Sequence, residues 1–533
     1  MGTILLLLHA HLPYVRHPEN VRHLEETWLF EAAIESYMPL FDLLTRLPEV
    51  SPKARVALSI SPTLLEMLGD ELLSTRLMEH ITHLTDMAEA ECERTSGDPE
   101  MAPLARMYLE RFGRAKKVLT DTYNGSLMAP LRELASTGQV ELLTTSATHA
   151  FLPNLAPTPD AVRNQIRIGL KCFKEHLGFR PKGFWLPECG YYENLDIIMS
   201  QEGISHTFLS SRGFLHSRPR PSYGLYRPVR TPSGLVAFGR ERELSLRVWS
   251  AHSGYPAHPV YRDFYRDAGF DVDAPHIRDF VEAIAPGGHT YTGFKYHSIT
   301  GLTVHKKPYR PEAALMQAQM DARHFADTLA ARSQEIKGEA GFSPLFVLPF
   351  DAELFGHWWS EGPDFLEHFI KKTCSNPGLR MSLPRELAAQ ADKLQEVSPS
   401  LSSWGEGGYG HAWSDSKAGG EALAEMLAAS ARFEALSAKK TYAPDTSDTA
   451  ENQAMTRAIS QAKRELLLLQ ASDWGFLSHK ETAGSYSRQR IREHAGNLQA
   501  IYGMIESGKI DESLLDEMKG RAPIFSGGSR TPF

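Results

Sequence analysis

The sequence predicts an α/β protein: a parallel β/α barrel with a loop-rich insertion and a helical C-terminal domain. Short apolar runs, typical of buried parallel strands, alternate with long helical segments through most of the chain before residue 399. A segment dense in Pro, Gly, Arg and Tyr interrupts this alternation, and the final part of the chain has apolar residues at helical spacing. We therefore expect a catalytic barrel of residues 1–190 and 271–398, an inserted domain of residues 191–270 over the active-site mouth, and a helical domain of residues 399–533.

The strand prediction depends on short apolar runs that are each followed by a polar or Pro/Gly-rich loop, as is typical of strands buried on both faces. These runs are ILLLL at 4–8, ARVALSI at 54–60, VELLTT at 140–145, GFWLP at 183–187 and LFVLPF at 345–350. The first run lies near the N-terminus, but it has no basic segment before it and histidines follow at once. We interpret it as a buried strand rather than a signal peptide.

The helix prediction depends on apolar residues that recur at intervals of three and four. Helical segments are predicted at about 25–46, 64–94 and 102–136, after Asp160, whose side chain can cap a helix, and at 417–440, 451–474 and 485–507. A polar break at 443–449 separates two of the C-terminal helices.

Composition excludes several classes of function. The formal net charge of −8 disfavours nucleic-acid binding, which requires a basic surface. No apolar stretch reaches the ~18–20 residues of a membrane-spanning helix, so we expect no membrane partner. The four cysteines are scattered without the spacing of a zinc site or a disulfide framework, which predicts a cytoplasmic protein: Cys92, Cys172, Cys189 and Cys374.

Two carboxylates directly follow predicted strands, where β/α barrels carry their chemistry. Glu188 lies in WLPECGY and Asp351 in LPFDAELFGHWW, and both segments are rich in aromatic residues that can stack on sugar rings. Each acid could instead cap a helix or lie at the surface. Cleavage of a glycosidic bond needs such a pair, one acid to attack or stabilise the anomeric carbon and one to protonate the departing oxygen.

Histidines and further aromatic segments lie near these acids in the predicted fold. His9 and His11 alternate at the end of the first strand, so both side chains can face one pocket and bind either a metal ion or a polar substrate. A metal needs three or four ligands, and His149 and His297 are candidates for the third. Stacking surface is offered by WGEGGYGHAW at 404–413 and by WSAHSGYP at 249–256.

Taken together, these segments resemble glycoside hydrolase family 57, and within it the enzymes that branch α-1,4-glucans. The segments that carry the resemblance are HAHLPY at 9–14, GQVELLTTSATHAFLPNL at 138–155, WLPECGY at 185–191, GFKYHSITG at 293–301, LPFDAELFGHWWSEG at 348–362 and the region of Trp404. The resemblance implies an incomplete (β/α)7 barrel with an inserted domain and a helical C-terminal domain. It also implies a retaining mechanism without metal or other cofactor.

The resemblance assigns roles to individual residues. Glu188 is the expected nucleophile and Asp351 the expected general acid and base, with a pKa raised by desolvation and by the charge of Glu188. The expected substrate-binding residues are His9, His11, Trp28, His149, Trp249, Tyr255, Trp404, Trp413 and Trp474. Tyr223 and Tyr226, in the insertion, are candidates for a tyrosine that keeps water away from the glycosyl intermediate.

The expected activity is therefore cleavage of α-1,4 links and transfer of the glucan chain to a 6-hydroxyl, as in glycogen synthesis, by a monomer or homodimer. An α-amylase-type hydrolase and a 4-α-glucanotransferase of the same fold are the alternatives. A metal-dependent polysaccharide deacetylase would use His9, His11 and a strand-end acid, and a glucan-binding protein without turnover would keep only the aromatic clefts.

Overall fold

A computed structural model describes residues 1–19, 22–439, 449–481 and 483–526, with residues 437–439 described by their backbone alone. The chain forms two compact units. The first comprises Met1–Leu58, Met67–Leu142 and Arg240–Leu387. The second comprises Ser59–Glu66, Leu143–Gly239 and Ala388–Phe533. The two units do not correspond one to one to the three predicted domains, and the boundaries of those domains stay predictions.

Two sheets are formed by strands β1 Gly2–Ala10, β2 Val56–Ile60, β3 Val140–Leu143, β4 Gly183–Phe184, β5 His206–Leu209, β6 Val229–Arg230, β7 Val236–Gly239, β8 Leu345–Asp351 and β9 Leu379–Met381. The first sheet has the order β3-β2-β1-β8, and β9 also pairs with β1. Strand β1 runs parallel to both β8 and β9. The second sheet has the order β4-β5-β7-β6, in which β4, β5 and β7 are parallel and β6 is antiparallel to β7.

The α-helices occupy the connections and the C-terminal part of the chain. In chain order they are Leu24–Ala32, Met38–Thr45, Leu47–Val50, Pro62–Leu68, Glu71–Arg94, Ala102–Lys117, Met128–Leu134, Pro159–Leu177, Leu195–Gln201, Ser211–Leu215, Arg242–Trp249, Ala268–Asp271, Pro275–Ile284, Pro311–Ala340, Gly362–Ser375, Pro384–Ala388, His411–Ser414, Lys417–Lys439, Ala450–Leu469, Asp473–Lys480, Gly484–Ser507 and Glu512–Arg521. A π-helical turn, Ala33–Tyr37, joins the first two of them.

All five predicted strands are present, because each apolar run is buried along its length. Every residue of β1 is buried, as expected of a strand covered on both faces. The run at 183–187 forms only the two-residue strand β4. Strands β5 and β7 were not predicted, because each is only four residues long and lies in the segment that was predicted to be loop-rich. The predicted loop-rich segment therefore contributes two parallel strands to the second sheet.

The predicted helices are also present, although most are divided. The segment at 64–94 is interrupted where Asp70 accepts a hydrogen bond from the backbone N–H of Leu73 and begins a new helix. The prediction that Asp160 caps its helix is wrong. Thr158 is the N-cap residue and Asp160 lies in the first turn, where its charge still favours the helix N-terminus.

The C-terminal helices share a buried core within the second unit. Its members include Ala458, Ala462, Leu466, Leu498 and Ile501, at the three- and four-residue spacing from which these helices were predicted. Most of the predicted polar break, residues 443–448, lies outside the described residues, as do residues 527–533 of the predicted helical domain. Within the described part of the chain, no helix has the length and apolar character needed to cross a membrane.

Candidate active site

Glu188 lies in a strained turn directly after β4. The short 3-10 turn Pro187–Cys189 follows the strand, and within it Glu188 has φ 57° and ψ 23°. Cys189 also has a positive φ, at 50°. Non-glycine residues adopt this left-handed conformation at an energetic cost, which folded proteins retain mainly at functional sites. The backbone is thus held in an unfavourable form where the sequence predicts the nucleophile.

The carboxylate of Glu188 is fixed by Trp404. The indole Nε1–H of Trp404 donates to Oε2 of Glu188 at 2.6 Å. The backbone N–H of Trp404 donates to the carbonyl oxygen of the same glutamate at 2.8 Å. The Trp404 ring meets the fully buried ring of Trp185 edge to face, with centroids 5.0 Å apart. Aromatic rings therefore border the Glu188 carboxylate, and one of them, Trp404, also donates a hydrogen bond to it.

His149 is a second side chain close to the Glu188 carboxylate. It is buried, has φ 53°, and its Nδ1 lies 3.9 Å from Oε1 of Glu188. The same Nδ1 is 3.0 Å from the hydroxyl of Ser472, which sequence analysis did not identify. The distance between His149 and Glu188 is too long for a direct hydrogen bond but short enough for both to contact one substrate hydroxyl.

The segment after residue 400 folds against the Glu188 turn through backbone pairing. Tyr191 and Ser402 exchange two backbone hydrogen bonds of 2.9 and 3.0 Å. Gly190 and Gly410 both lie against the Phe151 ring, which a Cβ would approach to 2.5 Å at Gly190 and 2.6 Å at Gly410. Gly410 also has φ 83°, a conformation that favours glycine. Glycine at these two positions therefore lets the Glu188 turn and the WGEGGYGHAW segment pack on the same ring.

Asp351 ends β8 in the first unit, and its register partner on β1 is His9. Desolvation raises the pKa of Asp351 above its ordinary value, opposed by the charge of Arg240, a hydrogen bond from Trp249 and the charge of His11. The direction agrees with the prediction, but burial is the cause that raises this pKa, and the charge of Glu188, the other predicted cause, is not among the contributions to it. A carboxyl group with a raised pKa retains a proton closer to neutral pH, as a general acid must.

The two histidines of HAHLPY lie close to Asp351: His9 is its register partner, and the charge of His11 acts on its carboxyl group. The rings of His9 and His11 are roughly parallel, with centroids 6.1 Å apart. Burial, together with the charge of His11, lowers the pKa of His9 well below its ordinary value. His9 is therefore a neutral imidazole, which can both donate and accept hydrogen bonds.

Glu353 is a buried acid that sequence analysis quoted in its motif but did not select. Its Oε1 accepts hydrogen bonds from the backbone N–H of His11 at 3.1 Å and from the hydroxyl of Tyr37 at 2.6 Å. Burial raises the pKa of Glu353 to about 7, and the charge of Asp351 adds to the increase. The available signal was its position two residues after Asp351, at the end of the same strand.

The predicted stacking residues divide into accessible and buried side chains. Trp249 is 49% exposed, and Trp28 is half-buried on its helix. Trp413 is buried with its ring stacked between Phe151 and Phe476, at centroid distances of 5.1 and 5.9 Å. Both faces of the Trp413 indole are covered, so the structure does not support its predicted sugar-stacking role.

The remaining substrate-binding predictions concern Trp474 and Tyr255. Trp474 is 1% exposed and donates its indole N–H to the carbonyl oxygen of Leu468 at 2.7 Å, so it is a core residue and its predicted role is not supported. The hydroxyl of Tyr255 lies 2.8 Å from Nδ1 of His324, and the Tyr255 ring packs edge to face on Phe325. Burial raises the pKa of Tyr255 to about 12.

The loop candidates Tyr223 and Tyr226 lie at a short 3-10 turn, Gly224–Tyr226, in the second unit. Tyr223 is 40% exposed, and the Arg227 guanidinium lies 3.9 Å from its ring centroid. Gln395 anchors the preceding residues, since its side chain accepts from the backbone N–H of Ser222 and donates to the carbonyl of Arg220. This anchoring does not distinguish which tyrosine shields an intermediate.

Within the described residues, a group of three possible metal ligands contains none of the predicted site residues. Ligand atoms of Glu66, Cys172 and His176 lie within 4.8 Å of one another in the second unit. Burial, with the charge of Glu66, raises the pKa of the Cys172 thiol, which donates to the Glu66 carboxylate at 3.4 Å. None of these three residues was among the predicted site residues.

The comparisons with known proteins agree with the resemblance. The sequence profile of glycosyl hydrolase family 57 matches residues 5–398, more than half of the chain. The chain therefore belongs to glycosyl hydrolase family 57 and is an enzyme of that family. Residues 430–527 match the profile of the C-terminal domain of 1,4-alpha-glucan branching enzymes.

Similar proteins extend over nearly the whole chain. The alpha-amylase AmyC from Thermotoga maritima has 35% identity and a TM-score of 0.90, covering 99% of this chain and 98% of that chain. The family 57 branching enzyme from Pyrococcus horikoshii has 28% identity and a TM-score of 0.86, covering 100% and 98%. The 1,4-alpha-glucan branching enzyme of Thermococcus kodakarensis is 28% identical over 98% of this chain and 77% of that protein. The predicted α/β fold class, an incomplete (β/α)7 barrel with a helical C-terminal domain, is confirmed.

Proposed function

We propose that this chain is a retaining 1,4-α-glucan branching enzyme. The proposal rests on Glu188, whose backbone is strained and whose carboxylate is held by a hydrogen bond from Trp404. It also rests on the match of the C-terminal part of the chain to branching enzymes. Glu188 and Asp351 supply the two carboxyl groups that glycosidic bond cleavage requires. The substrate is an α-1,4-glucan, and the transferred chain is joined to a 6-hydroxyl of a second glucan.

In the first step, Glu188 attacks the anomeric carbon of the bound glucan. The hydrogen bond from Trp404 orients Oε2 of Glu188, which leaves Oε1, near His149, as the attacking oxygen. A new bond forms between this oxygen and C1, while the bond from C1 to the departing glycosidic oxygen breaks. A retaining mechanism of this kind needs the two carboxyl groups about 5–5.5 Å apart.

Asp351 transfers the proton in both steps. It gives its proton to the departing oxygen, and its raised pKa is what this first role needs. The resulting carboxylate then removes the proton from the acceptor hydroxyl, which attacks C1 and releases Glu188. His9, held neutral by burial, is suited to bind a substrate hydroxyl beside Asp351.

Transfer exceeds hydrolysis only when water is kept from the intermediate and an acceptor sugar is held in place. The Tyr223–Tyr226 loop is the candidate shield, and the half-buried Trp28 and exposed Trp249 are the candidate stacking surfaces. Because AmyC is named an alpha-amylase, hydrolysis is the second candidate activity.

Product analysis separates the two activities. The enzyme is incubated with linear amylose, and reducing ends are measured first. The same samples are then debranched, and the new α-1,6 linkages are counted. We expect branch points to accumulate while reducing ends stay nearly constant. Reducing ends that rise without branch points would assign the chain to the hydrolases, and new α-1,4 chain lengths without either would assign it to the 4-α-glucanotransferases.

We further propose a cytoplasmic role in glycogen synthesis, with the enzyme acting as a monomer or homodimer. None of the four cysteines, which all lie within the described residues, forms a disulfide, and this suits a reducing compartment: Cys92, Cys172, Cys189 and Cys374. Fractionation of the source cells, with the enzyme followed by its branching activity, tests the compartment.

A further inference from the structure

The first unit carries a connected group of aromatic side chains at its surface. We call Phe264, Tyr265, Phe270, Tyr291 and Trp358 the aromatic platform. Tyr265 is 63% exposed, Trp358 is 49% exposed and Phe270 is 47% exposed. The rings of Phe264 and Tyr291 connect them, at centroid distances of 4.6 Å from Phe264 to Trp358 and 5.2 Å from Tyr291 to Phe270. Contiguous patches of exposed aromatic side chains mark binding surfaces, whereas single exposed apolar residues are common and need no function.

Trp358 presents one face of its ring while the other is covered. It stacks on Phe264 with an interplanar angle of 10°. The ammonium of Lys295 lies 4.9 Å from the Phe264 centroid and forms a buried ion pair with Asp267 at 3.0 Å. This arrangement fixes the Phe264 ring from inside the unit, so Trp358 rests on a rigid support.

The backbone beneath Trp358 is also fixed. Gly356 has φ 112°, and a Cβ there would lie 1.8 Å from the carbonyl oxygen of Glu35. The next residue, His357, pairs through Nδ1 with the Glu35 carboxylate at 2.7 Å and through its backbone N–H with the Ser36 hydroxyl at 3.1 Å. A side chain held in this way loses little conformational entropy when a ligand binds to it.

We propose that the aromatic platform binds a stretch of the α-glucan chain, with Trp358 as its main stacking surface. This inference rests on the proposed function, and it adds a binding surface to it. The exposed rings offer flat faces for the C–H surfaces of sugar rings, and the Tyr265 and Tyr291 hydroxyls offer hydrogen bonds to sugar hydroxyls. The ion pair between Arg266 and Asp271, 2.7 Å apart and partly exposed, adds polar groups between Tyr265 and Phe270. This mixture of ring faces and polar groups favours a sugar chain over a second protein copy.

The test measures the affinity of the full chain for amylose by native electrophoresis in gels of increasing amylose content. We expect Trp358→Ala to raise the apparent Kd about tenfold and Trp358→Phe, which keeps a ring, to raise it about threefold. Tyr265→Ala, on the most exposed ring of the platform, is a second variant and is expected to weaken binding about threefold; it removes edge-to-face contacts with Phe264 and Trp358. Met320→Ala is the matched control, because Met320 is 62% exposed on the helix Pro311–Ala340 and lies outside the platform.

An unchanged Kd in both Trp358→Ala and Tyr265→Ala would overturn the inference. If the wild type were a dimer that Trp358→Ala converts to a monomer with unchanged Kd, the platform would be a subunit interface and the inference would also fail. Branching activity of Glu188→Gln is measured in parallel. An inactive Glu188→Gln with normal binding by both Trp358→Ala and Tyr265→Ala refutes the platform alone, whereas an active Glu188→Gln with weak binding by these two variants refutes the catalytic assignment alone.

Discussion

Trp404 contacts Glu188 twice, through its backbone N–H to the carbonyl oxygen and through its indole N–H to Oε2. The two hydrogen bonds, of 2.8 and 2.6 Å, fix both the strained backbone of the glutamate and the direction of its carboxylate. A hydrogen bond to a charged oxygen in a half-buried site is among the stronger ones in proteins. Trp404 is therefore a positioning residue for the proposed nucleophile as well as an aromatic wall.

Replacing Trp404 with Phe tests this relationship, because it keeps a ring and the backbone contact but removes the indole N–H. A hydrogen bond to a charged group contributes about 1.5–3 kcal/mol, so we expect kcat to fall about 10- to 100-fold. The apparent Kd for amylose should change little, since a ring remains for stacking. A fall in affinity with unchanged kcat would show that Trp404 acts only as a stacking surface.

Glu188→Gln should abolish branching while leaving glucan binding intact. An amide cannot form the glycosyl intermediate, and loss of a residue of this kind costs about 10⁴-fold or more in rate. Glu193→Gln is the matched control, because Glu193 is exposed and lies five residues further along the chain. Branch points are counted after debranching, and binding is measured on amylose gels. Wild-type turnover by Glu188→Gln would remove Glu188 from the reaction.

Sequence reasoning located the strands and acids but not the contacts that position the acids. β1 and β8 were predictable because each is a continuous apolar run, and Asp351 because it ends such a run. β5 and β7 were not, since four residues among turns carry too little periodic signal. Ser472 approaches His149 from more than 300 residues away in the chain, and no local pattern predicts that contact.

The aromatic residues show the same limit. Trp249, Trp413 and Trp474 look alike in the sequence, yet Trp249 is half-exposed while the other two are buried. Exposure depends on what packs on each ring, and for Trp413 that is Phe151 and Phe476, from distant parts of the chain. Residue type alone predicted aromatic surface without separating core from binding site.

Asp351→Asn should lower branching by about 10³-fold or more, because the departing oxygen then leaves without a proton. With a substrate whose activated leaving group departs without a proton, azide, which needs no general base to attack C1, should restore part of the turnover and yield a glycosyl azide of retained configuration. Asp327→Asn, on the exposed face of the helix Pro311–Ala340, is the control and should behave as wild type. An Asp351→Asn variant with normal kcat would exclude Asp351 as the acid.

Glu353→Gln should shift the alkaline limb of the pH profile. In the wild type, kcat/KM falls as pH rises through the raised pKa of Asp351, because the acid loses its proton. Burial raises the pKa of Glu353 to about 7, and the repulsion between the two carboxylates is reciprocal, so a charge on Glu353 opposes the ionisation of Asp351. Glutamine removes this charge but still accepts from Tyr37 and His11, so the pKa of Asp351 should fall.

The alkaline limb of Glu353→Gln is therefore expected about half a pH unit or more below that of the wild type, with the maximum rate largely retained. The measurement is kcat/KM from pH 5 to pH 9 for both proteins. Tyr37→Phe is a milder variant in the same direction: it removes a donor to Glu353, raises the pKa of that glutamate and delays the appearance of its charge, so the limb should move by less. An unmoved limb in Glu353→Gln would show that the two carboxyl groups titrate independently.

Glu31→Gln should stabilise the protein at high pH and not at low pH. Burial, followed by the charge of Glu35, raises the pKa of Glu31 to about 8 from an unfolded value of 4.5. Between these two pH values the folded chain holds a proton that the unfolded chain has released, so the free energy of unfolding falls as pH rises.

Glutamine at position 31 has no proton to lose and removes this pH dependence. Relative to the wild type, Glu31→Gln should gain about 4 kcal/mol between pH 5 and pH 8.5, or roughly 4 °C in Tm. Thermal unfolding at both pH values measures the gain, and the exposed Glu312→Gln serves as the control. An equal difference in Tm between wild type and Glu31→Gln at the two pH values would mean that Glu31 is already ionised in the folded protein.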